Sequence, residues 1–176
     1  MRSDARANRD RVLAAAEEVF AESGDAGSTE EVARRAGVGI GTVFRHFPTK
    51  RALVEAAVVR HLTQLAQTLH VQPARAEDAG PAFREAFREM VSGAPAKLAL
   101  VALLEQHTGE VAAAASGLRE AVQDLLTRAQ QAGEVRADAT LDEVFVLINA
   151  LSRATGEQTA VDRAVDVVLD GLSPRS

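Results

Sequence analysis

Hydrophobic residues recur along this chain at helical spacing from near its start. From Asn8 onward, Val12, Leu13, Ala16, Val19 and Phe20 line one helix face, and Gly24 predicts where that helix ends. Ser28 with Glu31 three residues later has the pattern of a capping box, which starts a short helix at Thr29. Gly37 can close it by taking a left-handed conformation, and a second short helix runs from about Ile40 to Phe47, ended by Pro48. In that arrangement Val32, Ala33, Ala36, Val38, Val43 and Phe47 point into one small core, while Gly39, Gly41, Thr42, Phe44, Arg45 and His46 face outward.

The pattern stays helical to the end. Thr49 can cap a fourth helix with an apolar stripe at Val54, Val58, Leu62, Leu65 and Leu69. Beside it runs a second stripe, Leu53, Ala57, His61, Gln64 and Thr68, that turns polar after its first turn. Residues 71–80 read as a loop. Pro81 suits the first turn of a fifth helix carrying Phe83, Phe87, Met90 and Val91. After an interruption at 93–95, residues 97–107 are apolar nearly all round, as in a central buried helix. Val111, Ala115, Leu118, Val122, Leu125 and Ala129 predict a long helix ending near Gly133. Thr140 with Glu143, and Thr159 with Asp162, resemble two further capping boxes, each before an apolar helix. No alternating strand pattern and no internal repeat occurs, so the expected class is all-α. Residues 1–7 read as a polar arm.

Two short helices joined through a glycine turn make a helix-turn-helix, whose second helix can enter a DNA major groove. Between about Asn8 and Ala56, through RVLAAAEEVFAESG and EEVARRAGVGIGTVFRHFPTKRALVEA, the chain resembles the amino-terminal domain of the TetR family of transcriptional regulators. One departure stands out: Phe44 occupies a position where the family usually has a tyrosine whose hydroxyl reaches a phosphate. The resemblance implies a three-helix DNA-binding domain at about 1–52 and a helical effector-binding and dimerisation domain at 53–176. It also implies nine or ten helices in all, with the fourth as connector.

Composition changes this picture little. The net charge of −5 argues mildly against DNA binding, but residues 1–56 hold nine basic and nine acidic side chains, so the acidity belongs to the remainder. Screening over about 8 to 10 Å lets a local basic patch persist. No cysteine is present, which excludes disulfides and thiolate zinc sites and suits a reducing cytoplasm. The start carries no secretion-signal core, and no stretch approaches the roughly 20 apolar residues of a membrane helix. No GxSxG, Walker loop, GxGxxG or HExxH occurs, so no enzyme is expected, nor any cofactor. A metal site at His61, His70 and His107 with Glu105 lacks a one-turn pair on a single helix and is not expected either.

The expected DNA-binding residues are Ser28, Thr29, Gly39, Ile40, Gly41, Thr42, Phe44, Arg45, His46 and Lys50. Arg45 can bond a guanine at two points or a phosphate; Ile40 and Thr42 can meet a thymine methyl or a phosphate; His46 and Lys50 suit phosphates. The two glycines let a backbone approach closely. Arg34 and Arg35 read as a solvated face. His61, Gln64, Thr68, Phe87, Gln106, His107 and Asn149 form the expected effector pocket, polar groups beside apolar faces with one aromatic wall. Val144, Leu147, Ile148, Leu151, Val161, Val165 and Val168 exceed what one thin domain can cover and are the expected dimer interface, where the resemblance also places it.

The reading is a cytoplasmic, ligand-responsive repressor with three partners: a palindromic double-stranded DNA operator, a small-molecule effector and a second copy of itself. The alternative is a helical small-molecule sequestering protein with vestigial DNA binding, kept open by Phe44 and by the few side chains the second helix offers for reading bases.

Overall fold

A computed structural model describes residues 2–71, 78–92, 109–154 and 157–174. Its helices are α1 (Arg2–Ser23), α2 (Thr29–Ala36), α3 (Ile40–His46), α4 (Lys50–Val71), α5 (Ala79–Ser92), α6 (Gly109–Gln131), α7 (Leu141–Ser152) and α8 (Gln158–Gly171). No strand occurs among the described residues, so the all-α expectation holds. The buried helix expected at 97–107 lies outside them, as do Gln106 and His107.

Most helix ends follow local chemistry. α1 stops at Ser23, and Gly24 takes φ +53° to open a single 3-10 turn, Gly24–Ala26. A Cβ at Gly27 would lie only 2.8 Å from Cδ1 of Phe20, so the chain passes there too close to the core for a side chain. Thr49 caps α4, its hydroxyl accepting from the Ala52 N–H at 3.0 Å. At α7 the Thr140 hydroxyl accepts from the Glu143 N–H at 3.3 Å, and the Glu143 carboxylate accepts from the Thr140 N–H at 2.8 Å. That returned backbone bond holds the Glu143 carboxyl below its ordinary range.

Three local expectations fail. The polar arm is the first part of α1, because arginine and alanine there are good helix formers. Ser28 caps α2 through the Glu31 N–H at 3.1 Å, but the Glu31 carboxylate turns to Arg34 at 2.6 and 2.8 Å instead of back to the cap. Charge-assisted bonds to a guanidinium win over a single neutral amide. Thr159 caps nothing: α8 begins one residue earlier, and Asp162 accepts from Gln158 at 2.8 Å.

The chain forms two compact units, one of Met1–Gln64 with the described part of Ala96–Ala115, the other of the described parts of Leu65–Pro95 and Ser116–Ser176. α4 and α6 contribute to both. In the first unit Val12, Leu13, Val19 and Phe20 of α1 pack with Val32 of α2, Val43 of α3, Leu53, Val54, Ala57 and Val58 of α4, and Val111 of α6. Both stripes at the start of α4 are therefore core.

In the second unit α5 packs on α7 and α8. Phe83 and Phe87, with ring centroids 6.4 Å apart, sit at its centre. Two successive turns of α5 are tied to α8 at the surface, Arg84 to Asp170 at 2.5 Å and Arg88 to Asp166 at 2.8 Å. The Gln130 side-chain amide donates to the carbonyls of Arg136 and Ala139 at 3.1 and 2.9 Å, which fixes the turn between α6 and α7. No helix among the described residues is long and apolar enough to cross a membrane.

Candidate nucleic-acid interface

α2 and α3 meet at a turn set by Gly37, whose φ of +66° is a left-handed conformation that costs glycine little. The Val38 N–H then bonds the Ala33 carbonyl at 3.0 Å and the Gly37 N–H the Arg34 carbonyl at 3.2 Å, closing α2. Gly39 caps α3, its carbonyl accepting from the Thr42 N–H at 2.8 Å. Val43 and Phe47 anchor α3 in the core and Val38 is half-buried against it. The opposite face carries Ile40, Gly41, Phe44 and Arg45, all exposed, with Thr42 and His46 half-exposed at its edges. The inward and outward sets agree with the sequence pattern. Ser28 is half-buried; Thr29 is buried, its hydroxyl 3.3 Å from the Glu30 carboxylate, which leaves that side chain the most enclosed of the expected DNA-binding group.

Charge pairing separates the basic side chains. Arg34 is held by Glu31. Arg35, expected to be solvated, is instead a structural tie between helices: it donates to both oxygens of Glu22 at 2.9 Å and lies 3.4 Å from Glu31 and 3.7 Å from Glu18. The hydrogen bond from Arg35 keeps the Glu22 carboxyl below its ordinary range, and that from Arg34 does the same for Glu31. Lys50 donates to the Asp25 carbonyl at 2.6 Å and lies 3.3 Å from the Asp25 carboxylate, over the Phe20 ring at 5.6 Å. In the DNA-free chain its ammonium thus ties α4 to the turn after α1, and a phosphate there would share or exchange that contact. Arg51 pairs with Glu55. Arg45 has no hydrogen bond or ion pair among the described residues.

The described members of the expected effector set have different settings. His61 belongs to the first unit, its Nδ1 3.9 Å from Glu17, which also binds Arg60 at 3.2 Å. Gln64 and Thr68 are exposed. Phe87 is fully enclosed core, and Asn149 is exposed and bonds the Phe145 carbonyl of its own helix at 2.8 Å. Sequence reasoning missed a different concavity: a cleft of about 440 Å³ in the second unit, whose lining includes Arg88, Ser92, Leu151, Gln158, Val161 and Asp162. Its lining mixes aliphatic and ionisable groups, a feature no periodicity reports.

The dimer set also needs correction. Val144, Ile148 and Val165 are buried inside the protomer and cannot meet a partner. Leu147, Leu151, Val161 and Val168 are half-buried, and the strongly exposed apolar residues of these two helices are ones the sequence reading did not single out, Val146 at 66% and Val167 at 71%.

Two family models match the chain. One, described as bacterial regulatory proteins of the tetR family, matches residues 12–57; the other, the C-terminal domain of transcriptional regulators like SbtR, matches residues 78–174. A TetR transcription regulatory protein from Mycobacterium vanbaalenii is 37% identical, with 98% of each chain covered and a TM-score of 0.78. A TetR transcriptional regulator from Streptomyces coelicolor is 31% identical over 96% of this chain and 99% of its own, also at TM-score 0.78. A TetR family regulator from Marinobacter aquaeolei, at 16% identity and TM-score 0.60, shares the fold.

Proposed function

The chain belongs to the TetR family of DNA-binding transcriptional regulators, and from that footing we propose that it is a homodimeric repressor whose operator affinity falls when a small molecule occupies its carboxy-terminal domain. The observation that carries the DNA half is the outer face of α3: it is supported from behind by Val43 and Phe47, and it presents Arg45 with no partner among the described residues, while neighbouring cations are paired. A guanidinium in that position suits the two acceptors of a guanine edge, at about 1 to 3 kcal/mol of discrimination.

Arg45→Ala should therefore weaken operator binding about tenfold to 100-fold while leaving the thermal midpoint unchanged, since the side chain is exposed and pairs with none of the described residues. Fluorescence anisotropy at fixed salt, beside a melting curve, measures both. Absence of any DNA retention by the unmutated chain at low salt would sink the reading and favour the sequestering protein.

A twofold dimer presents two copies of α3, so the operator is an imperfect palindrome with half-sites about one helical turn apart. The effector half rests on the 440 Å³ cleft, a concavity whose aliphatic side chains, Val91, Leu151, Val161 and Val165 among them, stand beside ionisable ones such as Arg88 and Asp162. Compounds that raise the melting temperature of the free protein should shift operator affinity about 5-fold to 150-fold. Unchanged affinity with every such compound would remove that half alone.

A further inference from the structure

We infer that Ile40 and Phe44 read the 5-methyl group of thymine, so that each operator half-site carries an A·T pair beneath them; this rests on the DNA reading of α3. The two side chains stand one helical turn apart, on the same face, and are 39% and 43% exposed. Neither is a core residue; Val43 and Phe47 fill the inward side. Nothing lies within 4 Å of where a Cβ at Gly41 would project, so no side chain crowds the surface beside them.

Their chemistry selects the partner. Among the base edges of the major groove, the thymine methyl is the apolar group; every other group presented there is a hydrogen-bond donor or acceptor. An isoleucine or phenylalanine laid on those polar edges would strip water from them and return no bond. Phe44 has no hydroxyl to offer a phosphate, so its contribution to binding is apolar contact. Arg45, the next residue, supplies the polar reading of a neighbouring pair.

The test uses the full-length chain and a duplex selected by it from random sequence. Replacing deoxythymidine by deoxyuridine, position by position in both half-sites, removes the methyl and keeps every hydrogen-bonding atom. Affinity measured by anisotropy at fixed salt should fall about fourfold for each methyl read, and about 15-fold when both half-sites lose one. Ile40→Ala with Phe44→Ala should bind the two duplexes equally.

Equal affinity of the unmutated chain for both duplexes overturns the inference while leaving DNA binding intact, as does an unmutated-sized uracil effect in the double variant. No selectable duplex at all removes the DNA reading and this inference with it. If the double variant fails to fold, Ile40→Ala and Phe44→Ala are compared singly, and an unmutated-sized uracil effect in both overturns the inference.

Discussion

Replacing Val146 and Val167 together by aspartate should convert the protein to a monomer and weaken its hold on a two-half-site operator by at least about 100-fold, because joining two half-sites through one dimer raises affinity about 10² to 10⁴-fold without any new contact. Both side chains are well exposed in the protomer, at 66% and 71%, so a carboxylate there costs the isolated fold little. Next to them in the chain are half-buried Leu147 and Val168, and Val146 lines a groove of about 510 Å³ with the aliphatic groups of Ala139, Leu147, Val168 and Leu172. Apolar surface of this kind on two adjacent helices suits a self-complementary four-helix contact, in which each charge would be buried against its own symmetry mate. Sedimentation velocity gives the association state and anisotropy the operator affinity. A variant that remains dimeric, or an unmutated chain that is monomeric at operator-binding concentrations, would overturn the prediction. Val144→Asp makes the contrasting case: Val144 is fully buried, so that charge should unfold the protomer and not merely separate two of them.

The same two helices mark where sequence stops being informative. In LDEVFVLINALS almost every turn carries aliphatic residues on more than one side, and an apolar residue facing a core looks the same in sequence as one facing a partner. Packing of α5 against α7 decides the matter, turning Val144 and Ile148 inward and Val146 outward. The surroundings of the polar stripe on α4 were illegible for a related reason. His61, Gln64 and Thr68 form a stripe by spacing alone, but His61 meets a carboxylate of α1 while the other two face solvent, and no local rule specifies that neighbour.

The helix-turn-helix was legible because its determinants are local. Ser28, Gly37, Thr49 and Pro48 set helix ends within a few residues of themselves, and the inward positions of α2 and α3 repeat at helical spacing inside a small unit. Where that region did surprise, at Glu31 and Lys50, a charged side chain chose between two partners of similar reach. Such a choice depends on distances that the order of residues does not encode.

Gly41→Ala should separate stability from DNA binding by moving them in opposite directions. Gly41 is inside α3, its φ is not positive, and a Cβ there meets no atom within 4 Å, so alanine fits the free chain without strain. Exchanging glycine for alanine within a helix stabilises by about 0.5 to 1 kcal/mol, which raises the melting temperature by roughly 1 to 4 °C in a chain of this size. If α3 lies in a major groove, however, the same methyl stands on the face between Ile40, Phe44 and Arg45, where a backbone free of side chain can approach a base edge or phosphate most closely. Operator affinity should then fall by about tenfold or more, on the scale of one lost bidentate contact. Gly117→Ala, in the middle of α6 and also with no atom within 4 Å of a Cβ, should give the stabilisation without the loss. Opposite signs for melting temperature and affinity in the first variant, with melting temperature alone changed in the second, would assign Gly41 to the DNA-facing surface; unaltered affinity in Gly41→Ala would mean that the α3 backbone keeps its distance from the duplex.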